Sequence, residues 1–163
     1  MRLDSRQVIV QPSVLDRLLD DDPRTDVEHP GAVGSDLRHF KQAVARDLDV
    51  LLNSRCVDFG DRIESHPQAR DSVINFGIID LSSLSLLNPD DRALLRDRIR
   101  ITIERHEPRL AKVRVTLDAP RDLERMLRFR VDAVLRVHPQ RPPVSFDAML
   151  QLSSNSYQFT DRG

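Results

Sequence analysis

The chain has 163 residues, a formal net charge of −1 and a single cysteine, Cys56. A domain of this size buries roughly 70% of the surface its unfolded chain exposes, so it needs no disulfide or metal to hold it together. One cysteine excludes an intramolecular disulfide and a Cys-based zinc site, and the near-zero charge leaves no overall field to recruit nucleic acid or an anionic membrane.

In chain order, Gln11 to Pro23 reads as a short helical hook. Ser13 is a candidate N-cap, Val14, Leu15, Leu18 and Leu19 form an apolar face, and Asp20, Asp21, Asp22 and Pro23 stop it. Met1 to Val10 carry no apolar signal core and no apolar stretch approaches the roughly 18 residues of a membrane span, so a cytoplasmic chain is expected. Thr25 to Gly34 contains Pro, Gly and His and reads as a linker. The expected organisation is therefore a hook and linker over 1–34 and one domain over 35–163.

Ser35 or Asp36 can cap a first long helix over Leu37 to Asn53, in which Leu37, Phe40, Val44, Leu48 and Leu51 make one buried stripe. Ser54 to Leu87 reads as mostly irregular, with Ser72 to Leu87 apolar enough to pack down. Asn88-Pro89-Asp90-Asp91 is a helix start: Asn88 caps, Pro89 takes the first helical position, and the two acids favour the positive end of the dipole. That helix runs to Arg105 or His106, with Leu95, Ile99, Thr102 and Ile103 facing inward.

After Pro108 the apolar period changes to two. Val113, Val115 and Leu117 form a first strand; Leu127, Phe129, Val131, Ala133, Leu135 and Val137 a second. A third runs through Val144, Phe146, Ala148, Leu150 and Leu152. Short connections imply an antiparallel meander of three strands or slightly more, with the two long helices on its apolar face. The fold class is α+β.

Few residues suggest chemistry. His29, His39, His66, His106 and His138 include no pair at i,i+4 spacing, and neither a nucleophile elbow nor a glycine-rich phosphate loop is present. Glu104 and Glu107, three apart, place their Cβ atoms about 5–6 Å from each other, which raises a glycan hydrolase as an alternative. Such an enzyme needs one carboxyl with a raised pKa, whereas Arg105 and Arg109 flank Glu107 and favour its ionised form. No catalytic residue, metal site, cofactor or small-molecule substrate is expected.

The most distinctive local feature is Glu107-Pro108-Arg109-Leu110. Proline disfavours helical geometry in the preceding residue, fixes its own φ and offers no amide donor. The expected result is a stiff corner that presents an acceptor-only carboxylate and a five-donor guanidinium in fixed directions, an arrangement suited to protein docking. With the helix stop set by Pro108, changing the two charged side chains is expected to leave the corner's backbone largely intact and, where those side chains are exposed, to move stability by no more than about 0.5 kcal/mol.

Three segments together resemble the TssE family, which is related to a baseplate wedge protein of contractile phages. They are Pro12 to Leu18 followed by Asp20-Asp21-Asp22-Pro23; Ser72 to Leu81; and Glu107-Pro108-Arg109-Leu110 followed by alternating strands and Pro143-Val144-Ser145-Phe146-Asp147. The resemblance implies a structural subunit of the type VI secretion baseplate rather than an enzyme. It would join TssF and TssG in the wedge and seed the TssB–TssC sheath, with TssK as an indirect neighbour, in a cytoplasmic baseplate docked at the membrane. It also implies that Glu107, Pro108 and Arg109 belong to the wedge core. A glycan hydrolase and a regulatory adaptor remain as alternatives.

Overall fold

The computed structural model describes residues 18, 37–80, 84–85, 87–119, 126–137, 141–151 and 156–161. The expected hook over Gln11 to Pro23 lies outside them apart from Leu18, which is helical, and so do the candidate caps Ser35 and Asp36.

Helix α1 spans Leu37–Asn53, and the short helices α2 and α3 span Asp61–Glu64 and Pro67–Arg70. A 3-10 turn over Val73–Asn75 leads to α4, Pro89–His106. The strands are β1 Leu110–Leu117, β2 Met126–Leu135, β3 Pro143–Gln151 and β4 Ser156–Asp161. They pair antiparallel in the order β1-β2-β3-β4.

The chemistry that starts α4 is the one read from sequence: Asn88 Oδ1 accepts from the Asp90 amide at 2.9 Å, and Pro89 occupies the first turn. Such a bond satisfies one of the amides a helix leaves unpaired at its start. On α1, Phe40, Val44, Leu48, Leu51 and Leu52 are buried; on α4, Leu95, Ile99 and Ile103. They share one core with the inward face of the sheet. α1 packs against β4, and α4 against β1.

The register follows the alternation in the sequence. Phe129 on β2 stands opposite Leu117 on β1 and Ala148 on β3. Its ring is buried and meets Tyr157 and Phe159 of β4 edge-on, with centroids 6.0 and 6.1 Å away. β4 adds a fourth strand to the three read directly from sequence. In β1 the pairing slips between Ala111 and Arg114, where Lys112 takes a φ of 55°. This is a bulge that bends the strand just after it leaves the helix.

Ser72 to Leu87 packs down only in part. Ile78 is buried, with Phe76, Ile79 and Leu84 half-buried against the core, whereas Val73 and Ile74 are exposed. Ile78 is held by a parallel bridge to Arg55: its amide donates to Ser54 O at 2.9 Å and its carbonyl accepts from Cys56 N at 3.1 Å. Gly77 permits this approach. It lies at φ 109°, and a Cβ there would sit 2.5 Å from Ser54 O. The segment is fastened to the end of α4 through His106, whose Nε2 donates to Asn75 O at 2.9 Å and whose ring meets Phe76 edge-on.

Candidate functional site

The corner between α4 and β1 carries the expected local structure. Glu107 caps the helix with φ −118° and ψ 81°, outside helical geometry as the following proline requires. Its amide donates to Ile103 O at 2.9 Å and its carbonyl accepts from Leu110 N at 3.1 Å. Arg109 O accepts from Arg136 N at 2.8 Å, which ties the corner to the chain just beyond β2.

The two charged side chains of the corner meet each other. Glu107 is not presented outward: its carboxylate is only 5% exposed and bonds to Arg109 through both oxygens. Arg109 Nε donates to Oε1 at 2.7 Å and Nη2 to Oε2, while the Arg109 amide donates to Oε1 at 3.1 Å. Nη2 also donates to Asp47 Oδ2, at 2.6 Å, which brings in the middle of α1. The Arg109 guanidinium carbon lies 5.8 Å from the centroid of the Phe40 ring, one helical face along. A buried charge is costly unless paired and hydrogen-bonded, and here the planar fork of Arg109 meets the carboxylate with two parallel donors.

Asp47 in turn accepts from Arg46 at 3.2 Å. The four side chains form a chain of alternating charge running from the interior to the surface: Glu107 is 5% exposed, Arg109 22%, Asp47 31% and Arg46 40%. The Glu107 hydrogen bond, followed by the field of both carboxylates, holds the Arg109 pKa above its ordinary value although burial acts the other way. The Nη1 donors of Arg109 bond no described residue, and Pro108 is exposed.

The three residues picked from sequence are thus joined at one site, and Asp47 completes it. Asp47 gave no signal of its own, because an aspartate on the flank of an amphipathic helix reads as a solvated surface group. Glu104, the other member of the carboxylate pair, turns away to the Arg100 guanidinium at 2.7 Å. Among the described residues no group of His, Cys, Asp and Glu is arranged to hold a metal ion. No described helix is long and apolar enough to cross a membrane.

The ion cluster thus pins the helix–strand corner of a small α+β unit to its first long helix. The model of the baseplate wedge protein gp25 family matches residues 38–140, from the second residue of α1 through β2. The chain belongs to that family, and is a structural baseplate component. No curated protein matches it. A solved chain described as "The baseplate complex from the type VI secretion system" is similar at 13% identity and a TM-score of 0.44, over 77% of this chain and 97% of that one.

Proposed function

We propose that this wedge component is the TssE-type subunit of a type VI secretion baseplate, joining TssF and TssG and seeding the TssB–TssC sheath. The family match supports the baseplate role. The three resembling segments, two of them outside or only partly inside the described residues, point to the type VI branch.

The observation that carries the docking role is the state of Arg109. Its guanidinium is fixed by Glu107 and Asp47, yet its Nη1 donors bond no described residue, beside the exposed Pro108. A guanidinium held in this way loses little further rotamer freedom on binding, so a carboxylate or carbonyl of a wedge partner meets a preorganised donor pair. Glu107 supports the interface from inside, by orienting Arg109 rather than by touching the partner.

The geometry gives little support to glycan hydrolysis. A catalytic carboxyl must reach substrate, and Glu107 is enclosed with both oxygens on Arg109. Co-expression with TssF and TssG homologues followed by co-purification tests the wedge reading, and zymography of the purified chain tests the hydrolase one.

A further inference from the structure

Along one flank of α4 three arginines stand in a row. Arg92, Arg96 and Arg100 repeat every four residues and line one side of an open groove, and Arg114 of β1 lines the other. Each step of the row advances about 6 Å along the helix, so the row is about 12 Å long. A single acid, Asp97, lies among these four guanidinium groups.

The four differ in what neutralises them. Arg96 bonds Asp97 at 3.2 Å and Arg100 bonds Glu104 at 2.7 Å, in exposed pairs that exchange partners at little cost. Arg92 meets no carboxylate among the described residues: its Nη2 donates to the Asp118 carbonyl at 2.8 Å, and its buried Nε has no hydrogen-bond partner. The exposed side chain of Arg114 has no described partner either. Asp132, opposite it on β2, accepts from Ser145 instead.

The remaining lining narrows the choice of anion. No aromatic ring lines the groove, so a nucleobase finds no stacking platform. Val113, Val115 and Leu117, its apolar residues on the strand side, already pack on the core, so a protein segment finds no empty pocket for an anchoring side chain. What the groove offers is a row of planar, many-donor cations, which is the chemistry that recognises phosphate oxygens. A single phosphate engages only part of such a row, whereas linked phosphates meet successive arginines in one binding event.

We propose that the groove between α4 and β1 binds an oligophosphate group, free or carried on a nucleotide, through Arg92, Arg96, Arg100 and Arg114. Arg92, held by the Asp118 carbonyl, fixes one end of the site. Arg96 and Arg100 leave their exposed carboxylates for the phosphate chain, and Arg114 closes on it from the strand. The site is separate from the α4–β1 corner, since none of Glu107, Pro108 and Arg109 lines it. Nothing in it depends on the chain's place in a baseplate.

Isothermal titration of the full chain at physiological ionic strength, without divalent cations, tests this with tripolyphosphate, ATP, orthophosphate and a peptide of nine glutamates. Tripolyphosphate is expected to bind, with orthophosphate and the peptide each at least about tenfold weaker. ATP is expected to bind no more tightly than tripolyphosphate, because its base finds nothing to stack on. The double variant Arg96→Gln with Arg114→Gln, changed only at exposed positions, should weaken tripolyphosphate at least about tenfold without moving the melting temperature. Arg38→Gln with Arg62→Gln, exposed arginines outside the groove, should leave binding unchanged. In the natural chain, tripolyphosphate should shift the amide resonances of Arg96 and Arg114 and not those of Arg38 and Arg62. No binding of tripolyphosphate, equal binding of orthophosphate or the peptide, or tighter binding of ATP would each overturn the proposal. An equal loss in the Arg38 and Arg62 variant, or shifts confined to residues outside the groove, would also overturn it and mean an adventitious ion only. The wedge co-purification contains none of these probes, so the two tests fail separately.

Discussion

Glu107 and Arg109, separated only by Pro108, bond side chain to side chain through both carboxylate oxygens, and the same guanidinium reaches Asp47 on α1 at 2.6 Å. Two elements far apart in sequence, α1 and the α4–β1 corner, are therefore joined by one arginine. The corner is part of the fold as well as a surface, and the two charged residues differ in what their loss leaves behind.

Arg109→Ala strands a nearly enclosed carboxylate. Removing one partner of a buried pair typically costs about 3–5 kcal/mol. Glu107→Ala leaves Arg109 still paired with Asp47 and in reach of water, so its cost is closer to about 1–3 kcal/mol. Denaturant unfolding of the two variants should show that order. Arg109→Lys keeps the charge but loses the fork, and should fall between the natural chain and Arg109→Ala.

Phe129 lies at the centre of the sheet's inward face, with two aromatic rings of β4 against it. Phe129→Ala should cost about 3–5 kcal/mol. The drop in midpoint denaturant concentration, at unchanged slope, measures it.

Gly77→Ala places a methyl group 2.5 Å from Ser54 O at a φ of 109°. The backbone region alone costs about 1–3 kcal/mol for a residue with a side chain, and the overlap adds to it. Faster amide exchange at Ile78 and Cys56, which bridge this segment, should accompany the loss in stability.

His106 gives the fold a pH dependence of known sign. Burial pushes its pKa below the ordinary value of 6.5, against the opposing pull of the Asn75 carbonyl bond and the nearby Asp71, and with Arg105 acting in the same direction as burial. The unfolded chain then binds more protons than the folded one, so stability is fully present above about pH 6.5 and declines as pH falls through the folded value. Urea titrations across that range should show the decline, and His106→Gln should remove the part due to this residue.

Most of the fold was legible because its determinants are local. The bounds of α1 and α4 follow from the apolar period and from Asn88-Pro89, and the strands from strict alternation around Phe129. β4 left a weaker trace: six residues with only Tyr157 and Phe159 to show the alternation. The Tyr157 hydroxyl is buried without a hydrogen-bond partner among the described residues, and burial pushes its pKa up to about 12. At the corner, Pro108 announced the helix stop, but the inward turn of Glu107 depends on Arg109 and on Asp47, 62 residues from Arg109. No period or spacing in a sequence reports a contact of that range. Asn53, the last residue of α1, accepts from Tyr157 N at 2.8 Å and donates to Tyr157 O at 2.9 Å. That clasp was hidden for the same reason, since it joins residues 104 apart.

The central claim is that the chain is a wedge subunit docking at this corner. Its most direct test is co-expression of the full chain with TssF and TssG homologues, purified through a tag on the TssG homologue. The account predicts that all three proteins elute together and that Arg109→Lys, with folding verified by its melting curve, is retained at least about thirtyfold more weakly. Elution of the natural chain by itself, while the TssF and TssG homologues hold one another, would contradict it.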